Sequence, residues 1–212
     1  MRKYSVLICV FISVIFLIIA TLLYPGGSIF DKNSAGFNWS KNFFSNLFLE
    51  KALNGATNSS RFWAITGMVF NSLAYGLFFI HTSRKMPQKH AALVLRYIGV
   101  INMIFTFLIA TPLHDLMVTI SSTFTMLGLF YITVFVLKTR LHGLKFFCIL
   151  SLLIFYFTLY LYGAGYYGLL AVMQKLTFLC FMLLILTIEY FTRSSDFQQN
   201  KPASGAVTAK NS

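Results

Sequence analysis

Acidic residues are nearly absent from this sequence: five Asp and Glu stand against 17 Lys and Arg, and only 10% of the 212 residues are charged. A water-soluble globular domain carries about 25% charged and 45–50% apolar residues, so a chain that is 58% hydrophobic and this poor in charge is not one. Cysteine is scarce too, and Cys9, Cys148 and Cys180 all lie inside apolar runs, where a thiol acts as a small hydrophobe; no disulfide framework is implied. There is no P-loop, no Rossmann glycine motif, no G-x-S-x-G and no zinc spacing. Phosphoryl transfer from nucleotides, nicotinamide chemistry and ordinary serine hydrolysis therefore lose their usual signatures.

What is present is oil in six portions. Apolar runs near 5–24, 62–82, 93–111, 115–137, 146–164 and 168–190 each approach the roughly 20 residues needed to cross about 30 Å of hydrocarbon. The third and fourth are separated only at Pro112, but together they are far too long for one span. The fold class expected is all-α: an integral membrane bundle of six transmembrane helices over 1–193, followed by a polar, disordered cytoplasmic tail over 194–212. The first run follows Arg2-Lys3 as a signal peptide would. It is longer than the usual h-region and lacks a convincing cleavage site, so it reads as a retained anchor.

The formal net charge of +12 suggests a nucleic-acid binder until the basic residues are placed on the spans. Arg2, Lys3, Arg84, Lys85, Lys89, Arg96, Lys138, Arg140, Lys145, Arg193, Lys201 and Lys210 then fall on one side, against Lys32, Lys41, Lys51, Arg61 and Lys175 on the other. The positive-inside rule makes the first side cytoplasmic, with both termini there. No nucleic-acid partner is implied. Three histidines also lie on that side, His81, His90 and His142. Their spacing fits no metal motif and no carboxylate completes a site, so neither metal nor cofactor is expected.

The one long polar stretch between spans is the loop 25–61. Tyr24-Pro25-Gly26-Gly27 ends the first span, because proline removes a donor and the glycines permit positive φ. Trp39, Phe43, Phe44, Leu47 and Phe48 then recur at helical spacing opposite Lys41, Asn42, Ser45, Asn46 and Glu50. This pattern predicts a short amphipathic helix, N-capped by Asn38 or Ser40, lying in the interface or over the bundle mouth. Asn38-Trp39-Ser40 and Asn58-Ser59-Ser60 match the N-glycosylation pattern, but helix capping explains each more simply.

Tyr24-Pro25-Gly26-Gly27, Asp31, Gly36-Phe37-x-Trp39, Asn42-Phe43, Ser45-x-Leu47, Asn54-Gly55 and Asn58 resemble the first extracytoplasmic loop of the bacterial multi-pass proteins grouped as domain of unknown function 998. His114-Asp115 adds a weaker similarity. The resemblance implies a six-helix fold in the bacterial inner membrane and no assigned activity. Asn46 departs from the family's loop, which often has an acidic residue there.

Few polar residues lie within the spans. Asn71 and Asn102 reach similar depth from opposite sides, which suggests an interhelical hydrogen bond between them, with Gly67, Ser72, Gly76 and Gly99 allowing close approach. Glu189 has Arg193 four residues on, an ordinary ion pair. At the outer end, His114 and Asp115 head a span that carries Thr119, Ser121, Ser122 and Thr125, and Lys175 lies about 10 Å below the surface at helical rise. A lysine there must snorkel or find an anion, so Lys175 is expected to pair with Asp115 beneath the loop, next to His114. The reading is a membrane protein that binds a lipid or another membrane protein at its outer mouth through Tyr24, Asp31, Trp39, Asn42, Asn58, Arg61 and Lys175. The alternative is an intramembrane hydrolase or transferase acting on a lipid, with His114 as acid or base and Asp115 orienting it.

Overall fold

The computed structural model describes residues 4–198, and its long helices are the six expected. They are α1 (Ser5–Leu23), α2 (Arg61–Ser83), α3 (Lys89–Leu108), α4 (His114–Leu137), α5 (His142–Ala164) and α6 (Tyr167–Phe191), with a short α7 (Ser194–Gln198) after them. Each of the six is long and apolar enough to cross a bilayer, and the protein is a multi-pass membrane protein. Helices are what such a sequence must form, since hydrocarbon offers backbone N–H and C=O groups no partner outside the segment itself.

Each helix packs on the next, and α6 closes the bundle against α2 and α1. Apolar burial does little to draw helices together in lipid, so close fit must do it. Phe79 of α2 supplies that fit: a Cβ on Gly99 of α3 would lie 2.2 Å from the Phe79 Cβ, and one on Gly128 of α4 would lie 2.6 Å from its ring. Three helices thus meet where two lack side chains. Gly76 of α2 accepts Met103 of α3 in the same way.

The helix ends follow local chemistry. α1 stops at Pro25; α5 stops at Gly165, whose φ of 74° lets its N–H turn back to the carbonyls of Leu161 and Tyr162. α3 and α5 begin at Lys89 and His142, earlier than their apolar runs, because their first turns carry polar residues beyond the hydrocarbon. The segment after α6 is not wholly disordered. Arg193 N–H donates to the Asp196 carboxylate at 2.7 Å, and α7 buries Phe197 in the main core. Residues 199–212 of the expected tail lie outside the described residues.

The long loop forms a lid at the end where α1 finishes and α2, α4 and α6 begin. Its aromatic segment is shorter than the amphipathic helix expected, a single 3-10 turn over Phe44–Phe48, because Asn46, Leu47 and Phe48 all turn inward and leave no continuous polar face. Leu47, Phe48 and Ala52 join Ala20, Tyr24, Ala64 and Ala110 in a second core beneath it.

Candidate functional site

The lid is built from close backbone contacts. Gly26 and Gly27 have φ of 138° and 84°, and a Cβ on either would come within 2.3 Å of backbone, Ser34 in one case and Asn54 in the other. The chain therefore folds into two small hairpins that touch. Gly27 N–H donates to Ser34 O at 2.7 Å, Ala52 N–H to Ala56 O at 2.9 Å, and Asn54 N–H to Gly26 O at 3.3 Å.

Neutral amides lock this frame. Asn42 is fully buried; its Nδ2 donates to Gly27 O at 2.6 Å and to Asn46 Oδ1 at 3.3 Å, while its Oδ1 accepts from Asn38 N–H at 2.8 Å. Asn46 Oδ1 also accepts from Phe43 N–H at 2.8 Å, so this side chain works as an acceptor. Asn58, buried as well, donates to the carbonyls of Leu47 and Leu49 and accepts from Ser60 N–H at the start of α2. Asn38 accepts from Ser40 and Lys41. Neither asparagine of the glycosylation-like tripeptides is the helix cap expected, because Phe43 and Ser60 hold those positions; each instead closes a turn ahead of its helix, and the Asn58 amide is fully engaged. Tyr24 accepts from Leu53 N–H at 3.1 Å and donates to Gly27 O at 3.3 Å; burial pushes its hydroxyl pKa upward, against a smaller lowering by the Leu53 amide.

α6 holds the lid down through two consecutive side chains. Gln174 Oε1 accepts from Phe44 N–H at 2.9 Å. Lys175 Nζ donates to Asn42 O and to Ala171 O, both at 2.6 Å, and lies 5.6 and 5.7 Å from the ring centres of Phe37 and Phe44. The cation is met by carbonyl dipoles and aromatic faces in place of an anion. The expected Lys175–Asp115 pair is therefore not formed. Asp115 is exposed, and among the described residues its carboxylate makes no ion pair. His114 bends back so that its Nδ1 donates to Ile109 O at 2.7 Å; a carbonyl only accepts, so Nδ1 carries the hydrogen.

The predicted site residues accordingly divide into three groups. Tyr24, Asn42, Asn58 and Lys175 come together as the lid's internal frame. Asp31, Trp39 and Arg61 lie at its edge: Asp31 accepts from Asn33 N–H in a turn, Trp39 is 53% exposed edge-on to Phe37 and Phe44, and Arg61 pairs with Glu50 at 3.1 Å. His114 and Asp115 join neither group. Beside the lid, Phe30 and the α5–α6 turn border an open groove of about 640 Å³ lined by Phe157, Tyr160, Tyr166, Tyr167 and Leu169. The aromatic turn was visible in the sequence, but its pairing with Phe30 depends on the folded hairpin.

Deeper in the bundle the expected Asn71–Asn102 bond is absent. Asn102 instead faces α4, donating to Thr125 Oγ1 at 2.8 Å and accepting from Ser121 Oγ at 3.0 Å, with Thr106 bonded to Ser121. Asn71 lies one turn beyond Gly67, whose open face meets Leu17 and Ser13 of α1, so it shares the α1 side of α2 and not the α3 side. Its Oδ1 is buried without a partner.

At the opposite end the structure forms a long-range contact between ionisable side chains that the sequence did not suggest. His81 Nδ1 lies 2.6 Å from Glu189 Oε1, and the Glu189 side chain is only 8% exposed. Lys85 Nζ donates to the carbonyls of Ile188 and Glu189 at 2.9 and 2.7 Å, closing the C-terminal end of α6. Burial lowers the Lys85 pKa, and the nearby charges of Glu189 and Asp196 partly restore it. The expected Glu189–Arg193 pair does not exist, because Thr192 is extended (ψ 147°) and takes Arg193 off the helix. Glu189 is the only acid in α6 and His81 the only basic residue in the last turn of α2; that was the available signal.

Comparison with known proteins finds no matching family model, no similar curated protein and no similar solved structure.

Proposed function

We propose that this multi-pass protein is a non-catalytic lipid-binding protein of the bacterial inner membrane, with both termini in the cytoplasm and the lid on the outer side. The occupant is one acyl or isoprenoid chain, entering from the bilayer between Phe30 and the α5–α6 turn. The aromatic groove carries this reading: its volume of about 640 Å³ falls within the roughly 300–1,000 Å³ usual for ligand sites, and its walls are rings and leucines with tyrosines at headgroup level. The charge bias supports the orientation. The loop's likeness to the domain-998 family adds a bacterial setting. His114 bonds back to its own connection and Asp115 is exposed, an arrangement that favours the binding reading over acid–base chemistry by the pair.

The test is photolabelling in vesicles with a phospholipid, and in parallel a polyprenyl phosphate, that carries a diazirine in its chain. Labelling is expected to concentrate on Phe30 and residues 157–169. It should drop severalfold in Gly168→Phe, whose ring would project toward Phe30, and stay unchanged in His114→Ala. Labelling spread evenly over outward positions such as Leu22, Phe62 and Phe130 would overturn the reading.

A further inference from the structure

At the end opposite the lid, the turn between α4 and α5 and the end of α6 border a second, open groove of about 460 Å³. Its rim carries Arg140 and His142, both exposed, and its walls are Leu141, Leu144 and Phe191. Phe191 is 76% exposed where helix gives way to connection, the level at which a bilayer's headgroups meet its chains. The groove is thus cationic at its mouth and apolar along its wall.

The chain has five acidic residues, Asp31, Glu50, Asp115, Glu189 and Asp196. The first three lie at the lid end. Glu189 is taken up by His81, and Asp196 accepts from Arg193 N–H. Among the described residues no carboxylate lies within ion-pair distance of Arg140, while Lys138 and Lys145 add positive charge on either side of the same turn. We propose that this groove is a site for an anionic phospholipid, its phosphate between Arg140 and His142 and one chain running along Leu144 and Phe191. Basic pockets between spans at such an interface suit acidic headgroups, and a chain attached to the phosphate uses the apolar wall that a free ion would leave empty.

The site is independent of the lid-end groove and is tested separately. The full-length protein is placed in phosphatidylcholine nanodiscs doped with phosphatidylglycerol, and the phosphatidylglycerol retained on the released protein is counted by native mass spectrometry. Retention is expected to weaken about fivefold in Arg140→Gln, the effect of one basic residue near an anionic surface, and further in the Arg140→Gln/His142→Gln double variant. Arg84→Gln, on the same end but outside the groove, should leave it unchanged. Equal loss in Arg84→Gln would overturn the proposal in favour of diffuse surface charge. Full competition by glycerol phosphate alone would overturn it in favour of a free-phosphate site.

Discussion

The two ends of this bundle treat buried polar groups in opposite ways. At the lid end the chain has a long connection, and it satisfies itself locally with neutral groups: Asn42, Asn46 and Asn58 bond to carbonyls and amides within the same loop, and even Lys175 meets carbonyls and rings. At the other end the turns are short and cannot fold back. Helix ends there satisfy each other across the bundle with ionisable side chains, His81 to Glu189 and Lys85 to the end of α6, contacts more than 100 residues apart in sequence. The long connection thus supplies most of its own polar partners, with Gln174 and Lys175 of α6 as its distant ties, whereas the short turns depend on side chains that reach across to another helix.

His81→Ala should break the comparison most sharply. It leaves Glu189 buried with neither oxygen paired, which costs about 3 kcal/mol, and thermal unfolding in detergent should show the loss while lid protection from exchange persists. Next comes Asn42→Ala, which strands Asn38 N–H, leaves Gly27 O only the longer bond from Tyr24, and costs about 2 kcal/mol; here the lid should loosen first, seen as new reactivity of a cysteine placed at Leu47. Unchanged reactivity there would mean that the amides are not what holds the lid.

Lys85 sharpens the ionic side through pH. Its folded pKa lies below the ordinary 10.5, so between the two values the unfolded chain binds more protons and stability must rise with pH. Wild type measured against Lys85→Met should gain stability as pH climbs toward 10.5. A decline over that range would show that Glu189 and Asp196 outweigh burial. The smallest effect belongs to Glu50→Gln: its pair with Arg61 is exposed, and the change should cost about 0.5 kcal/mol or less and vanish in high salt.

Periodicity and length were enough to read the six spans, because hydrocarbon leaves the backbone only one solution, and Pro25, Gly26 and Gly27 marked where the lid begins. Asn38 and Asn58 were expected as caps, but the caps fall at Phe43 and Ser60 and the asparagines close the turns before them. The failures all concern direction around a helix or the path of a loop. Asn71 and Asn102 share a depth but point to different neighbours; Glu189 and Arg193 have helical spacing, but the helix ends between them; Lys175 finds its partners only once Phe37, Asn42 and Phe44 have folded over it. Sequence spacing fixes height in the membrane, whereas azimuth is set by packing.

Hydrogen–deuterium exchange across residues 38–58 tests the central claim most directly, that the lid is a fixed element tied to α6 by Gln174 and Lys175. The amides of Asn42, Phe43, Phe44 and Asn58 should exchange as slowly as those in the middle of α2, and Lys175→Met should accelerate the first three. Exchange at the rate of an open loop in the wild type would contradict the account.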